Sequence, residues 1–388
     1  MEFRLAGPQD EDVRWLWDYC FEKKEHPFFQ WYFSRFCREG NILAGYADGR
    51  LAACLHLNPV EVFLRGKVLP SSYIVGLGVA PEARSGGAGT LLAGALAEMR
   101  RRQHWVSIIM PARAGLYYPY QWELCYHQLH YSLAMEELAA IGAKWGTFRR
   151  LESPRDVGDL TGVYRRFVAG KHGYTLRSDA YWRQIIEEQG TAGGYIYMLE
   201  DAGKAEGYIF YKLHEDRLLV REMAYTSRQA LLSLVRFMYQ HRSQAGRAEW
   251  NAPADDWLHF LLPNPRQQVY LEPFMSARIV DAAQALAAVD YPAAVDTDVA
   301  LEIEDRLAPW NNRLLTLTVG GGRGRVSEPA VRPAKVIHCQ IGALTQLLFG
   351  RLNAAELAAM GRLQAEAGDL AVLDRLFPRC SNYVNEYY

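Results

Sequence analysis

A glycine cluster preceded by an arginine is the segment of this sequence whose residue types best suit an anionic ligand. Glycines let a backbone approach phosphate oxygens without Cβ collisions, and the first N–H groups of a helix point outward with partial positive charge. An arginine adds a charged fork, and hydroxyl residues add hydrogen bonds, for the same anion. The pattern predicts a pyrophosphate site at a helix start, against the alternative of a tight turn that holds no ligand. The segment consists of Arg84, Ser85, Gly86, Gly87, Ala88, Gly89 and Thr90.

The spacing of these glycines excludes two familiar phosphate-binding motifs. A Walker loop places lysine directly after the second glycine of its Gly-x-x-x-x-Gly frame, and Gly89 and Gly94 have that spacing, but Ala95 follows. A dinucleotide-binding fingerprint that starts at Gly87 would need glycine at the position of Leu92. The pattern that remains is Arg-x-x-Gly-x-Gly.

The elements around this turn must place it between a strand and a helix. Residues 73–79 are rich in β-formers and stop at Pro81. Residues 87–103 carry their apolar side chains on one helical face, and residues 105–110 are a second β-rich run. This order of strand, glycine turn, helix and strand predicts a βαβ unit.

The chain before this unit predicts helices and then hairpins. Residues 15–36 indicate one or two helices broken at His26-Pro27. Residues 41–57 indicate a hairpin around an Asp-Gly turn. A second strand pair is predicted over residues 60–64 and 67–69.

The pattern starts again near Leu151 and changes character near Met275. Between them, helices, a hairpin, a strand and a helix repeat the first layout without the glycine cluster. Beyond Met275, alanine-rich stretches flank one strand, residues 314–319, and predict two helices on a small sheet. We therefore expect an α/β (α+β) fold in three domains, residues 1–150, 151–275 and 276–388.

Composition excludes several classes of function. The net charge is -1 with 22% charged residues, so the bulk charge does not indicate nucleic acid or an anionic membrane. The 6 cysteines are scattered without a CxxC pair, which predicts reduced thiols and no metal site. The sequence carries no signal-peptide pattern and no apolar run of about eighteen residues. We expect a soluble, cytoplasmic protein.

With these residues in place, the first domain resembles the GNAT superfamily of acyl-CoA-dependent N-acetyltransferases, whose hallmark is the strand, Arg-x-x-Gly-x-Gly/Ala turn and helix. Residues 116–124, which read Leu-Tyr-Tyr-Pro-Tyr-Gln-Trp-Glu-Leu, resemble a Phe-Tyr-x-x-Phe-Gly-Trp/Tyr-Glu segment of the enhanced intracellular survival (Eis-like) branch. Gln121 stands where that branch usually has glycine. The aromatic chain end, residues 383–388, is similar as well.

The resemblance implies a domain order and a donor site. Members of the branch have two GNAT-like domains in tandem, of which only the first binds cofactor, and then a sterol-carrier-like domain. Acetyl-CoA is the expected acyl donor, with its pantetheine arm on the backbone of Leu77, Gly78 and Val79 and its pyrophosphate on residues 84–90. The branch also implies symmetric homo-oligomers, with a hexamer as one form.

The resemblance further implies an acid and a base. A tyrosine protonates the departing thiolate, and by position it is Tyr117, with Tyr118 as the neighbouring alternative. The base is the terminal carboxylate, here that of Tyr388. Without the resemblance, Tyr117 is better explained as an aromatic packed beside Tyr118 and Tyr120. The alternative for the chain end is a frayed surface tail, although aromatic residues are uncommon in exposed tails.

The amine acceptor should meet acidic and aromatic groups, because these attract cations. This predicts a small cationic amine, such as an aminoglycoside or a polyamine. Two alternatives stay open: a lipid-binding protein with a vestigial transfer site, and an acetyltransferase acting on protein or peptide amines. The candidate acceptor-binding residues are Asp18, Glu22, Trp31 and Glu386, with Trp15 and Glu25 beside them.

Overall fold

The computed structural model describes residues 1–84, 86–151, 156–266 and 268–387. Its strands are β1 (Glu2–Ala6), β2 (Ile42–Ala47), β3 (Arg50–Leu64), β4 (Lys67–Val79), β5 (Val106–Ile109), β6 (Glu123–Ala134), β7 (Thr147–Arg150), β8 (Thr175–Leu176), β9 (Tyr195–Asp201), β10 (Lys204–His214), β11 (Arg217–Tyr225), β12 (Arg247–Pro253), β13 (Val269–Ile279), β14 (Thr297–Glu304), β15 (Leu314–Gly320), β16 (Arg323–Ser327), β17 (Ile337–Gln340) and β18 (Leu363–Gln364). Its α-helices are α1 (Glu11–Cys20), α2 (Pro27–Trp31), α3 (Gly87–Arg101), α4 (Met135–Ile141), α5 (Val157–Phe167), α6 (Asp179–Thr191), α7 (Arg228–Tyr239), α8 (Ala282–Ala287), α9 (Ile341–Leu348), α10 (Ala354–Ala359) and α11 (Ala367–Leu376).

The chain divides into two compact units. Unit 1 consists of residues 1–126, 172–176 and 274–387, and unit 2 of the described residues in 127–171 and 177–273. The mixed α/β fold class predicted from the sequence is confirmed. Among the described residues, no helix is long and apolar enough to cross a membrane, and no cluster of side chains could hold a metal ion.

In unit 1 the strand order is β1-β2-β3-β4-β5-β13, and β8 pairs with β3. β4 and β5 are parallel and are joined by α3, which is the βαβ unit that the sequence predicts. The β2–β3 hairpin turns at Asp48 and Gly49, whose φ angles are 49° and 75°, as an Asp-Gly pair favours. Pro27 is the first residue of α2, so the predicted helix break is confirmed.

The β3–β4 hairpin is longer than the sequence predicts. Pro59 and Pro70 lie inside its strands instead of ending them, so the two expected strand pairs are one. β2 pairs with β3 only up to His56, and β5 pairs with β4 only from Ser71. Each proline therefore occupies a stretch with a partner strand on one side only, where its missing N–H costs no ladder bond.

The two faces of this sheet are covered by different layers. Alternate residues Ala53, Leu55 and Leu57 join the apolar side of α3 in one buried cluster. His56 and Asn58 project to the opposite face, where their side chains lie close to Tyr32 behind α2. One face is thus a dry core and the other carries buried polar groups.

Unit 1 also contains a second sheet, ordered β16-β15-β14-β17-β18. The sequence predicts two helices on this sheet, but four, α8 to α11, accompany it. The sequence analysis missed α9, in which all 8 positions are buried.

Unit 2 repeats the strand, helix and parallel strand of the first domain. Its strands are ordered β6-β12-β11-β10-β9-β7, and β11 and β12 are parallel and joined by α7. The N-terminus of α7 is capped by the Ser227 side chain, which accepts a hydrogen bond from the N–H of Ala230. One N–H group at this helix start is therefore bound by a side chain of the same unit.

Candidate functional site

The strands β4 and β5 form a fork in unit 1. Their ladder ends at the pair Ile74 and Ile109. Just beyond, the β3–β4 register shifts and Gly76 adopts a φ of 61°, with the Trp17 ring packed where a Cβ would lie. This bulge turns β4 away from β5, so residues 77–79 lie outside the β4–β5 ladder. These are the residues predicted to bind the donor, namely Leu77, Gly78 and Val79.

The glycine turn lies at the start of α3, directly after the fork. Gly86 has a φ of 103°, in the region that favours glycine, and among the described residues no side chain caps the helix. The first bond of the helix is from the Thr90 N–H to the Gly86 carbonyl, at 3.3 Å. The N–H groups of Gly87, Ala88 and Gly89 precede that bond, which leaves them positioned for an anion. Ser85 lies outside the described residues.

Tyr120 and Arg84 are among the side chains at the turn. A Cβ on Gly89 would come within 3.0 Å of the Tyr120 ring, so the turn and the Tyr120 segment pack closely. The exposed guanidinium of Arg84 lies 6.0 Å from the centre of the Tyr19 ring on α1.

Tyr117 links two short 3-10 turns, Ala114–Leu116 and Tyr118–Tyr120. Its carbonyl accepts hydrogen bonds from the N–H groups of Tyr120 and Trp122, at 3.0 and 3.4 Å. Its side chain packs against the same apolar cluster as Leu77 and Val79. Burial raises the pKa of Tyr117 to about 12.

Gln121 shows why glycine is usual at its position. Its φ of 63° lies in the left-handed region, which L-residues with a side chain adopt at a cost. This turn directs Trp122 into the core, where its indole N–H donates to Ser107 at 3.3 Å. The substitution keeps the backbone shape.

A buried ion pair supports the Tyr117–Tyr120 segment, and the sequence analysis missed it. The Arg278 guanidinium donates to the Tyr120 carbonyl and, at 2.6 Å, to Asp305. It also lies 4.9 Å from the Trp122 ring centre. Asp305 in turn accepts from the N–H groups of Leu307 and Ala308. No local motif marks either partner.

The end of the chain lies beside the fork. Residues 382–386 are buried, and the Tyr73 hydroxyl donates to the Glu386 carbonyl at 3.3 Å. Tyr73 pairs with Ile108, one position before the ladder ends. The Tyr387 ring contacts Phe274, with centres 5.2 Å apart. Tyr388, the predicted base, lies outside the described residues.

The other predicted acceptor-binding residues lie on or after α1 and α2. Asp18 accepts from the Lys24 N–H at 2.7 Å, a bond that lowers the pKa of its carboxyl group. Glu22 accepts from the Trp17 indole at 2.9 Å, and Trp31 is buried in α2. The described structure brings Glu386 to the fork, whereas Asp18 and Glu22 organise the loop after α1. Trp15 is half exposed, and Glu25 is exposed beside Lys24.

A polar group on the α1 side of the sheet was also missed. The Tyr32 hydroxyl lies 2.9 Å from Nδ1 of His56, and it accepts a hydrogen bond from the Asn58 amide at 3.1 Å. Burial lowers the pKa of His56 to about 3, so this imidazole is neutral. The two-residue spacing of His56 and Asn58 was the available signal, but the predicted hairpin stopped at residue 57, so Asn58 was not assigned to the strand that places both on one face.

The second sheet of unit 1 borders a cavity of about 280 Å³. Its lining is mainly polar and charged, which does not fit an apolar ligand. The polar lining residues are Glu302, Glu304, His338, Gln340, Arg362 and Gln364.

Sequence models of known domains match most of the chain. An acetyltransferase (GNAT) domain matches residues 4–125 and another matches residues 173–279. A sterol carrier protein domain matches residues 282–385. The predicted domain boundaries at 150 and 275 stay predictions.

Individual relatives are distant in sequence. The chain is 26% identical over 230 residues to an uncharacterized N-acetyltransferase from Streptomyces avermitilis, and this alignment covers 55% of each protein. The chain thus spans about half the length of the curated relatives it matches.

Solved structures share its fold over the whole length. A probable N-acyltransferase from Enterococcus faecalis is 22% identical with a TM-score of 0.87, and Eis1 from Mycobacterium abscessus is 20% identical with a TM-score of 0.78. Each alignment covers 100% of both chains. With two acetyltransferase domains, a sterol carrier domain and this shared fold, the chain belongs to the GNAT acetyltransferase superfamily and has the Eis-like domain order.

Proposed function

We propose that the protein transfers an acetyl group from acetyl-CoA to a primary amine of a small cationic acceptor, such as an aminoglycoside or a polyamine. Attack is direct, within a complex of both substrates. The observation that carries this proposal is the fork between β4 and β5, which opens directly before the glycine turn, where no described side chain caps the helix start. Unit 2 has the same strand and helix order but a side-chain cap at its helix start, so the first domain is the one suited to the donor.

The residues at the fork fit acetyl-CoA. Residues 77–79 offer backbone groups outside the β4–β5 ladder to the amide-containing pantetheine arm. The N–H groups of Gly87, Ala88 and Gly89 suit the pyrophosphate, with Arg84 and Thr90 beside them. When bound, acetyl-CoA supplies an activated thioester carbonyl, and the chain must supply a proton and orient the amine.

Tyr117 is the proposed acid. At neutral pH a phenol with a pKa of about 12 is protonated, so Tyr117 is in the form that can donate a proton. A phenol of this pKa is a weak acid in water, but a thiolate that forms in the same buried surroundings is also more basic than usual. Proton transfer is then near balance, and its rate depends mainly on how the phenol and the thiolate are positioned.

The chain end is the proposed base. Two residues follow Glu386, and extended chain spans at most about 7 Å over that distance, so the terminal carboxylate can act near the fork. Tyr73, which contacts the tail, and Tyr117 are on opposite faces of the sheet. Such a placement separates the amine side of the reaction from the thiolate side. The buried Glu386 carboxylate supplies negative charge for a cationic acceptor.

The cavity beside the second sheet has a polar lining, so this cavity itself does not suit a lipid. Acetylation of protein or peptide amines is compatible with the same fork. A thiol-release assay with acetyl-CoA separates these activities when polyamines, aminoglycosides and peptides are compared as acceptors. We expect release with the cationic small molecules. Absence of release with every amine, together with no thermal stabilisation by acetyl-CoA and co-purification of a lipid, would overturn the proposal in favour of lipid binding.

A further inference from the structure

A short segment of the chain lies between the sheet of unit 1 and the chain end. Residues 172–176 belong to unit 1, although the residues on either side of them in sequence belong to unit 2. On one side, β8 pairs with β3 through Val62 and Thr175. On the other side, His172 pairs with Asn382 in a parallel bridge. The segment thus connects the β3–β4 hairpin to the tail.

Backbone bonds fix the register between this segment and the tail. The His172 N–H donates to the Ser381 carbonyl at 2.8 Å, and the Tyr383 N–H donates to the His172 carbonyl at 2.9 Å. Gly173 has a φ of 70°, and a Cβ there would lie 3.1 Å from the Asn382 side chain. The tail therefore docks closely at this point.

The side chain of His172 connects the hairpin turn to the tail. The N–H of Arg65 donates to Nε2 at 2.9 Å, so the ring proton must be on Nδ1, which lies 2.7 Å from the Asn382 amide oxygen. The Asn382 amide in turn donates to the Cys125 carbonyl at 2.9 Å. Every partner in this chain of bonds is buried, which makes the arrangement costly to break.

Further along the tail, the Thr175 hydroxyl donates to the Glu386 carboxylate, and both are buried. A hydroxyl bonded to a carboxylate is a charge-assisted pair, stronger than a neutral one. The same Glu386 accepts from Tyr73 through its carbonyl. Glu386, near the end of the described tail, is thus bound both by Thr175 of the segment and by Tyr73 at the fork.

We propose that His172 and Thr175, with their partners Asn382 and Glu386, form a clasp that positions the chain end for catalysis. The inference rests on the proposed function, in which the terminal carboxylate acts at the fork. His172 and Thr175 are proposed as positioning residues, because they act through their contacts with the tail. A segment within the second acetyltransferase domain region, which has no glycine turn of its own, would then serve the site of the first domain.

The test compares Thr175→Val, which removes only the hydroxyl, with Thr175→Ser, which retains it. Thr161→Val is the matched control, because the Thr161 hydroxyl has no hydrogen-bond partner among the described residues. Two readouts are used on the full chain: carboxypeptidase release of the C-terminal tyrosines, followed by mass, and steady-state kinetics with acetyl-CoA. Asn382→Ala is a second variant should Thr175→Val not fold.

We expect Thr175→Val to release its terminal tyrosines about tenfold faster than the parent chain. Its kcat should fall about tenfold or more, with the KM for acetyl-CoA unchanged. Thr175→Ser and Thr161→Val should behave like the parent. Equal release rates would overturn the clasp, and faster release with an unchanged kcat would overturn its catalytic role. A parent chain that transfers to no amine, while the release rates still differ, would overturn the proposed function and leave the docking of the tail established.

Discussion

Among single residues, Tyr117 has the surroundings that bear most directly on the chemistry. Its phenol is partly buried against the apolar cluster, and this burial raises its pKa to about 12, which keeps it protonated through the physiological range. Replacing it by phenylalanine removes the proton donor and retains the packing. We expect Tyr117→Phe to lower kcat about 10²- to 10⁴-fold with little change in the KM for acetyl-CoA. Steady-state kinetics checks this, with Tyr118→Phe as the control because Tyr118 is 43% exposed.

The pKa of Tyr117 also predicts how kcat depends on pH. Because its proton is lost only near pH 12, Tyr117 should cause no decline of kcat between pH 7 and 10. A rising limb in that range would instead report deprotonation of the acceptor amine. A decline of kcat near pH 8.5 that disappears in Tyr117→Phe would contradict the assignment.

Buried histidines make the fold sensitive to acid. Burial lowers the pKa of His172 to about 4 and of His56 to about 3, below the value of about 6.5 expected in the unfolded chain. As the pH falls from 6.5 towards 4, the unfolded chain takes up protons and the folded chain does not, so stability is lost in that window. Each group contributes roughly 1.4 kcal/mol per pH unit at most.

Thermal unfolding measured from pH 8 to pH 5 tests this expectation. The melting temperature should be flat above pH 7 and should fall below pH 6.5, before most carboxylates take up protons. A melting temperature that stays constant down to pH 5 would show that these imidazoles do not stay neutral in the fold.

At the scale of elements, substitutions at the start of α3 can distinguish an effect on acetyl-CoA binding from an effect on the stability of the fold. Gly86 has a positive φ and open space around it, and so does Gly170, which lies outside the proposed site. Alanine at either position costs about 1–2 kcal/mol in backbone strain. Only Gly86→Ala should also raise the KM for acetyl-CoA, by tenfold or more, because it changes the turn that presents the N–H groups.

Calorimetry and kinetics on the pair separate the two effects. Equal losses of thermal stability with a raised KM in Gly86→Ala alone would support the anion site. A raised KM in both variants would assign the effect to general loosening of the fold.

The elements also show what a sequence can predict. The Asp-Gly turn, the helix break at Pro27 and the βαβ unit around the glycine turn are local patterns, and each is found where it was predicted. The length of the β3–β4 hairpin was not predictable, because Pro59 and Pro70 usually end strands and are tolerated here where each has a partner strand on one side only.

At the scale of the whole molecule, the supports of the site come from far apart in sequence. His172 and Asn382 are 210 positions apart, and no local spacing relates them. Arg278 and Asp305 lie in different matched domains, so neither carries a motif for the tyrosine segment that Arg278 holds. Motifs predicted the groups suited to chemistry, whereas the groups that hold them in place depend on tertiary packing.

Assembly belongs to the same scale. The Eis-like resemblance implies a homo-oligomer, and this stays a prediction. We expect light scattering after size exclusion to give a mass that is a multiple of the 44.1 kDa chain. A hexamer would agree with the branch, and a monomer at micromolar concentration would contradict the expectation.

The chain end gives the most direct test of the whole arrangement, because the sterol carrier domain and the tail would then complete an acetyltransferase site made by the first domain. Adding a few residues after Tyr388 converts its carboxylate into an amide and moves the charge away. Residues 382–386 can stay docked, since their contacts are made upstream. We therefore expect the extended protein to lose turnover by about 10²-fold or more while it binds acetyl-CoA with unchanged affinity. Removing the extension with a specific protease should restore the rate, and this restoration distinguishes a catalytic carboxylate from damage to the fold. Full activity in the extended chain would exclude the terminal carboxylate as the base and leave the buried Glu386 carboxylate as the nearest described alternative.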